Sequence, residues 1–240
     1  MNAPDPHILN ALRKEILLMQ GYKPGNSQAN LGGLEAIADV FPNGSFPLGA
    51  IHEFFCFSKE DGAASYGFIA GIVSTLMETG APVVWISSGT LIYPPALKSF
   101  QIDPDKILFI KPPKPKDLFW VLEETLKNEN LPAVICDLNE LSFTESRRLQ
   151  LAVEHSKNTG FLIRQKPKNL ATACLARWKI KSAESLNEGV PGLGYPQWDV
   201  ELLKIRNGKP GKWKISWQQG RFQIPKQPLI HILEKERKAG

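Results

Sequence analysis

Few residue groupings in this chain announce chemistry. It has three cysteines in 240 residues, and Cys56, Cys136 and Cys174 are far apart in apolar surroundings. They read as core thiols in a reducing compartment, not as a disulfide set. His7, His52, His155 and His231 are scattered, and no His/Cys group has metal-ligand spacing. There is no G-x-S-x-G elbow, and no histidine lies near a candidate nucleophile in sequence. Gly192 and Gly194 are followed by Tyr195-Pro196 in a loop, which does not fit a dinucleotide fingerprint. The paired acids Glu123-Glu124 fall on an expected helix, where such pairs are ordinarily solvated. The longest apolar run, 68–77, contains Gly71, Ser74 and Thr75 and is too short to span a bilayer. The chain shows no basic-then-apolar leader, so a cytoplasmic protein with no membrane segment is expected.

What is present is ordinary globular composition, 42% hydrophobic and 22% charged, enough for one sizeable core. The charge is unevenly placed. Residues 1–160 carry 13 Lys+Arg against 18 Asp+Glu, whereas 161–240 carry 16 against 6. A basic C-terminal third suits an acidic partner, nucleic acid or a protein surface, or else is simply a solvated surface.

The chain is organised around residues 51–72. Phe54-Phe55-Cys56-Phe57 suits a strand covered on both faces. Residues 58–63 are small, polar or charged and read as a Gly-bearing loop. Phe68, Ile69, Ile72, Val73 and Leu76 then recur at helical spacing until Gly80. Strand, Gly-bearing loop and helix form the context of a phosphate-binding loop. The loop chemistry is missing. With Gly62 as the second glycine of G-x-x-x-x-G-K-[ST], the first glycine position holds Phe57, the lysine position Ala63 and the hydroxyl position Ala64. Ala63 has no ammonium for phosphate and Ala64 no oxygen for magnesium. Glu60 and Asp61 add repulsion where a triphosphate would lie. Lys59 could supply charge from inside the loop, and an ordinary strand-to-helix turn has the same spacing.

Around this centre, residues 5–20 form an amphipathic helix with Ile8, Leu9, Leu12, Ile16 and Met19 on one side, tethered by the polar stretch 21–33. A short helix is expected at 34–40 and a turn-rich bend at 41–49. Strands are expected at 82–87, 106–110, 132–138 (ending in Asp137) and 161–164. Helices are expected at 94–100, 116–127 and 143–157, the last opened by a Ser142/Glu145 capping box and closed by Gly160. This alternation predicts a mostly parallel sheet covered on both faces. Beyond it, 178–182 reads as an edge strand, and 200–206 and 212–217 as an antiparallel hairpin. One hairpin face would be basic (Lys212, Lys214, Ser216) and the other aromatic (Trp213, Ile215, Trp217). The tail 225–240 is charged, and helical from Leu229.

This order resembles the RecA-like core, and Phe46-Pro47-Leu48-Gly49-Ala50-Ile51-His52-Glu53 resembles the segment entering the RecA phosphate-loop strand. The closer resemblance, over about residues 31–222, is to the ImuA family. There Arg206-Asn207-Gly208-Lys209-Pro210-Gly211-Lys212-Trp213 is similar to an R-x-G-x-P-G-x-W hairpin. The resemblance implies an α/β, RecA-like three-layer α/β/α fold. Its sheet would be mostly parallel, with an antiparallel C-terminal hairpin and a detached N-terminal helix. It implies a division into helix and linker 1–30, core 31–224 and tail 225–240. It also implies an accessory protein of damage-induced translesion synthesis. Such a protein would scaffold an ImuB-like Y-family polymerase homologue and an error-prone C-family polymerase. A SulA-like cell-division inhibitor and a residual ATPase using Lys59 are the competing readings.

Departures from a working RecA-like ATPase shape these expectations. The degenerate loop at Phe57, Gly62, Ala63 and Ala64 leaves no catalytic or cofactor role. Asp137 matches the magnesium-linked strand-end acid but would instead bond nearby backbone. The segment 165–169 is too short for a recombinase DNA loop. Arg164, Lys166, Lys168, Lys204, Arg206, Lys209, Lys212 and Lys214 are the expected contacts for weak, sequence-independent nucleic-acid binding or for an acidic partner. Ile8, Leu12, Ile16 and Met19 are the expected self-association stripe of a homo-oligomer.

Overall fold

The computed structural model describes residues 15, 31–41, 44–89, 92–186 and 194–224. The central strand β1 (Ile51–Cys56) is buried at all six positions. Helix α1 (Lys59–Leu76) follows, and Met77–Thr79 ends it in a 3-10 turn with Gly80 left-handed at φ 81°. Then come β2 (Val83–Ile86), β3 (Ile107–Ile110), α2 (Leu118–Leu126), β4 (Ala133–Asp137), α3 (Phe143–Ser156) and β5 (Thr159–Gln165). The C-terminal third contributes β6 (Ala176–Leu186), β7 (Tyr195–Ile205), β8 (Gly211–Gln218) and β9 (Arg221–Gln223). Leu34–Val40 and Pro94–Phe100, expected as short helices, are 3-10 helices.

These strands form one nine-stranded sheet in the order β3-β2-β4-β5-β1-β6-β7-β8-β9. All pairings from β3 to β6 are parallel, and those from β6 to β9 are antiparallel. The expected α/β class, mostly parallel with an antiparallel C-terminal extension, is borne out.

Alternation along each strand sends side chains to two separate cores. Phe54, Trp85, Phe161, Ile163, Trp178, Trp198, Val200 and Ile215 pack with Phe68, Ile69, Ile72 and Val73 of α1 on one face. Ile51, Val84, Val134, Cys136 and Leu162 pack with Leu122 and Leu126 of α2 and Leu149 and Val153 of α3 on the other. Trp178 anchors the first core, stacking on Phe54 at 6.2 Å and on Phe46 at 5.9 Å. At the far end, α1 runs close beneath the sheet, where a Cβ on Gly71 would lie 2.5 Å from the Phe222 ring. Gly33, at φ 106°, lies so near β9 that a Cβ there would meet the Phe222 carbonyl.

The structure corrects three expectations. Residues 178–182 belong to an internal strand: β6 pairs with β1 on one side and β7 on the other, and Trp178 is fully buried. Its alternating lysines mark a face without a helix over it, not a sheet edge. Gly160 does not close α3. It lies within β5, and Lys157 makes the left-handed cap at φ 64°. Ser216 is buried and donates to the Gln223 carbonyl, so it does not share the exposed basic face of β8. The Ser142/Glu145 capping box is present as read, and all three cysteines are free and buried. The helix at 5–20 lies outside the described residues except for Glu15, which is helical and exposed. The tail 225–240 also lies outside them. Among the described residues no helix is long and apolar enough to cross a membrane.

His52 joins the sheet to the bend that precedes it. Its Nε2 lies 2.8 Å from the Pro47 carbonyl, which can only accept, and its Nδ1 accepts from the Trp178 indole N–H at 3.1 Å. Those partners fix the neutral Nε2–H tautomer. Burial pushes the imidazole down from 6.5 to about 4, against a smaller opposing effect of the Pro47 hydrogen bond. In this window the unfolded chain binds the proton and the folded one does not. The contribution to stability is therefore complete above pH 6.5 and is lost as pH falls towards 4. Across it, wild type should lose roughly 3 kcal/mol more unfolding free energy than His52→Gln, read from urea midpoints. Parallel pH profiles for the two proteins would refute this.

Candidate functional site at the carboxyl end of the parallel strands

In a parallel α/β sheet, ligands meet the carboxyl ends of the strands. Here that edge is formed by the turn after β1, Asp137 at the end of β4, and the link 166–175 between β5 and β6. The turn after β1 is shorter than expected. Residues 58–63 do not form a loop, because Ser58 is already the N-cap and the helix begins at Lys59. Ser58 Oγ accepts from Asp61 N–H at 3.1 Å. The Asp61 carboxylate reaches back to accept the Phe57 N–H at 2.9 Å. A backbone donor that a phosphate loop would aim at its ligand is thus held by a carboxylate of the same chain. Gly62 sits inside the helix, where a Cβ would come within 3.0 Å of the Gln165 amide nitrogen. Ala64 is packed in the core, Ala63 is exposed, and Phe57 stands 47% exposed beyond the end of β1.

Asp137 is engaged by side chains, not by the backbone bonds expected of it. Its Oδ1 accepts the Tyr66 hydroxyl at 2.7 Å. Burial pushes the Asp137 carboxyl above its ordinary range, while hydrogen bonds from Tyr66 and Ser87 pull the other way. Burial, followed by the charge of Asp137, pushes the Tyr66 phenol up. Among the described residues no group of three or more His, Cys, Asp or Glu could hold a metal ion.

Beside this edge lies a cluster that sequence reasoning missed. Glu53, in the middle of β1, has no exposure to solvent. Its Oε1 accepts from Arg164 Nη1 at 2.8 Å. Its Oε2 accepts from the Thr172 hydroxyl at 2.7 Å and from Arg177 Nη2 at 3.2 Å. Phe55 lies between the two guanidiniums, 5.5 Å from Arg164 and 4.8 Å from Arg177. Removing one member of such a buried pair leaves the other charge uncompensated, at a cost of about 3–5 kcal/mol. The available signal was a lone acid inside the apolar run Ile51–Cys56, which demands a buried partner.

The eight basic residues expected to share a face do not. Arg164 is fully buried against Glu53 and is corrected to a core residue. Arg206 donates to the Ala173 carbonyl at 2.8 Å, pinning the β5–β6 link. Lys212 pairs with Glu201 at 2.7 Å, and Lys214 with Asp199 at 2.9 Å. Lys204 is exposed and lies across from Arg177 in the ladder. Lys209 is exposed in the β7–β8 turn, and Lys166 and Lys168 are exposed just past β5. The basic face of the hairpin therefore exists, but acids of β7 run through it in register: Lys179–Glu201–Lys212 and Lys181–Asp199–Lys214. The stripe Ile8, Leu12, Ile16 and Met19 lies outside the described residues.

No protein-family model matches the chain. Over 204 residues it is 29% identical to Protein ImuA of Caulobacter vibrioides strain NA1000 / CB15N, covering 78% of this chain and 82% of the relative. Protein ImuA of strain ATCC 19089 / CIP 103742 / CB 15 gives the same figures.

The turn after β1 carries a direct test. Asp61→Ala removes the acceptor of the Phe57 N–H and should lower unfolding free energy by roughly 1–3 kcal/mol. Ser58→Ala should cost about 1 kcal/mol through the lost cap. Urea midpoints unchanged from wild type in both variants would contradict this account of the turn.

Proposed function

We propose that the chain is a member of the ImuA family, as its 29% identity to two ImuA proteins supports, and that it serves damage-induced mutagenesis as an accessory protein without nucleotide chemistry of its own. The observation that carries the second half of this reading is the Asp61 carboxylate on the Phe57 N–H at the start of α1. A polyphosphate placed there would meet a carboxylate already bonded to that donor. Ala63 and Ala64 offer neither cation nor hydroxyl in compensation. The first half rests on the family. The partners it implies are an ImuB-like Y-family polymerase homologue and an error-prone C-family polymerase, met in the cytoplasm.

On this reading residues 31–224 are the docking body, flanked by the helix and linker 1–30 and the tail 225–240. The stripe Ile8, Leu12, Ile16 and Met19 joins copies of the chain. The exposed members of the basic third, among them Lys204 and Lys209, face an acidic surface of the polymerase homologue. The full chain, tagged and expressed in DNA-damaged cells of its own species, should co-purify with the Y-family polymerase homologue. Lys204→Glu with Lys209→Glu should weaken that capture without changing the amount of folded protein. Deletion of residues 1–20 should reduce the mass in light scattering to that of a monomer. Recovery without the polymerase homologue would overturn the accessory reading, and a mass unchanged by the deletion would overturn the self-association.

A further inference from the structure

One exposed aromatic ring on this edge is unexplained by packing or by the turn chemistry. Phe57 projects past β1 with nearly half its surface in solvent. The Lys179 ammonium lies 5.2 Å from its ring centroid. β6 runs parallel to β1 with Phe54 opposite Trp178, which carries Phe57 alongside Lys179 and Lys181 on the same face. On the other side of β1, the Lys166 N–H donates to the Cys56 carbonyl at 2.8 Å, so Lys166 enters the patch from β5. Lys168 follows it, and Lys59 opens α1; both are exposed.

The acids nearby are accounted for. Asp61 is spent on the Phe57 N–H. Asp199 and Glu201 are held by Lys214 and Lys212. Glu140 leans on Arg164 at 3.8 Å. Glu60, exposed in the first turn of α1, and Glu184, exposed farther along β6, are the acids that remain. Among the described residues neither Lys179 nor Lys181 has an ion pair within 4.0 Å.

We propose that this face binds single-stranded nucleic acid, with Phe57 as the base-stacking platform and Lys166, Lys168, Lys179 and Lys181 taking phosphates. A flat ring flanked by cations takes any unpaired base on its face, whereas a paired base offers it no open face. Alternate residues on one strand stand about 6.7 Å apart, close to the spacing of successive phosphates in an extended strand, so Lys179 and Lys181 can serve neighbouring nucleotides. Arg177, sandwiched on Phe55 and bonded to Glu53, is structural and takes no part. The inference stands apart from the accessory reading, because it needs neither polymerase.

The test is fluorescence anisotropy of the full chain with labelled oligo-dT, an abasic oligonucleotide of the same length and a duplex, at about 50 mM salt. Wild type should prefer oligo-dT to both controls. Phe57→Ala should weaken oligo-dT binding roughly tenfold at an unchanged salt slope, and Phe57→Trp should restore it. Phe57→Ala and wild type should bind the abasic strand equally. Lys181→Gln should flatten the log–log salt slope by about 0.7, the share of one phosphate. Phe57 is exposed, so the variant should fold as wild type does, which circular dichroism checks. The proposal fails if wild type does not bind oligo-dT at that salt. It fails if Phe57→Ala binds like wild type. It fails if polyglutamate competes as well as oligo-dT, in which case the patch docks an acidic protein.

Discussion

The carboxylate of Glu53 is the constraint on which the middle of this molecule depends. β1 is the fifth of nine strands, covered on both sides, so its polar atoms must be satisfied from within. Arg164 brings in β5, Arg177 brings in β6, and Thr172 brings in the link between them. One side chain therefore sets how the parallel half of the sheet meets its antiparallel extension. Buried charges of this kind contribute little net stability, because desolvation offsets most of the attraction. Their effect is order: a slipped register at β1 would leave a carboxylate and a guanidinium stranded in the core.

That order extends to the carboxyl end of the strands. The Arg206 bond to Ala173 and the Lys166 bond to Cys56 hold both ends of the link against β1 and β7. The helix that follows β1 then begins after two residues. The local sequence favours this start: Ser58 is a strong cap, and Glu60 and Asp61 sit where the helix dipole favours negative charge. The same acids that oppose an incoming phosphate stabilise the turn in its place.

The parallel half was legible because its signals are local. Apolar runs bounded by Gly, Pro and Asp gave β1 to β5, and Ser142 with Glu145 placed the start of α3. The errors occurred where pairing across the sheet outweighs local pattern. Residues 58–63 look like a loop when composition is read alone, yet a cap and two acids suffice to start a helix there. β6 alternates apolar and basic residues as an edge strand would, but the strand covering its other side is β1, whose His52 pairs with Ala176 far beyond any sequence window. Arg164 looked like one more cation of a basic tract, and its partner Glu53 lies 111 positions earlier. Asp199 and Glu201 were visible, but only the register of β7 shows that they neutralise Lys214 and Lys212.

The central claim is that the first turn of α1 is closed by its own carboxylate and has no vacancy for a nucleotide. It joins the strand-turn-helix geometry to the accessory role proposed for the chain. Isothermal titration of the full chain with Mg-ATP tests it most directly. The account predicts no binding heat above dilution. A saturable micromolar isotherm that disappears in Lys59→Ala would contradict it, since that lysine would then be doing what the missing loop lysine does elsewhere.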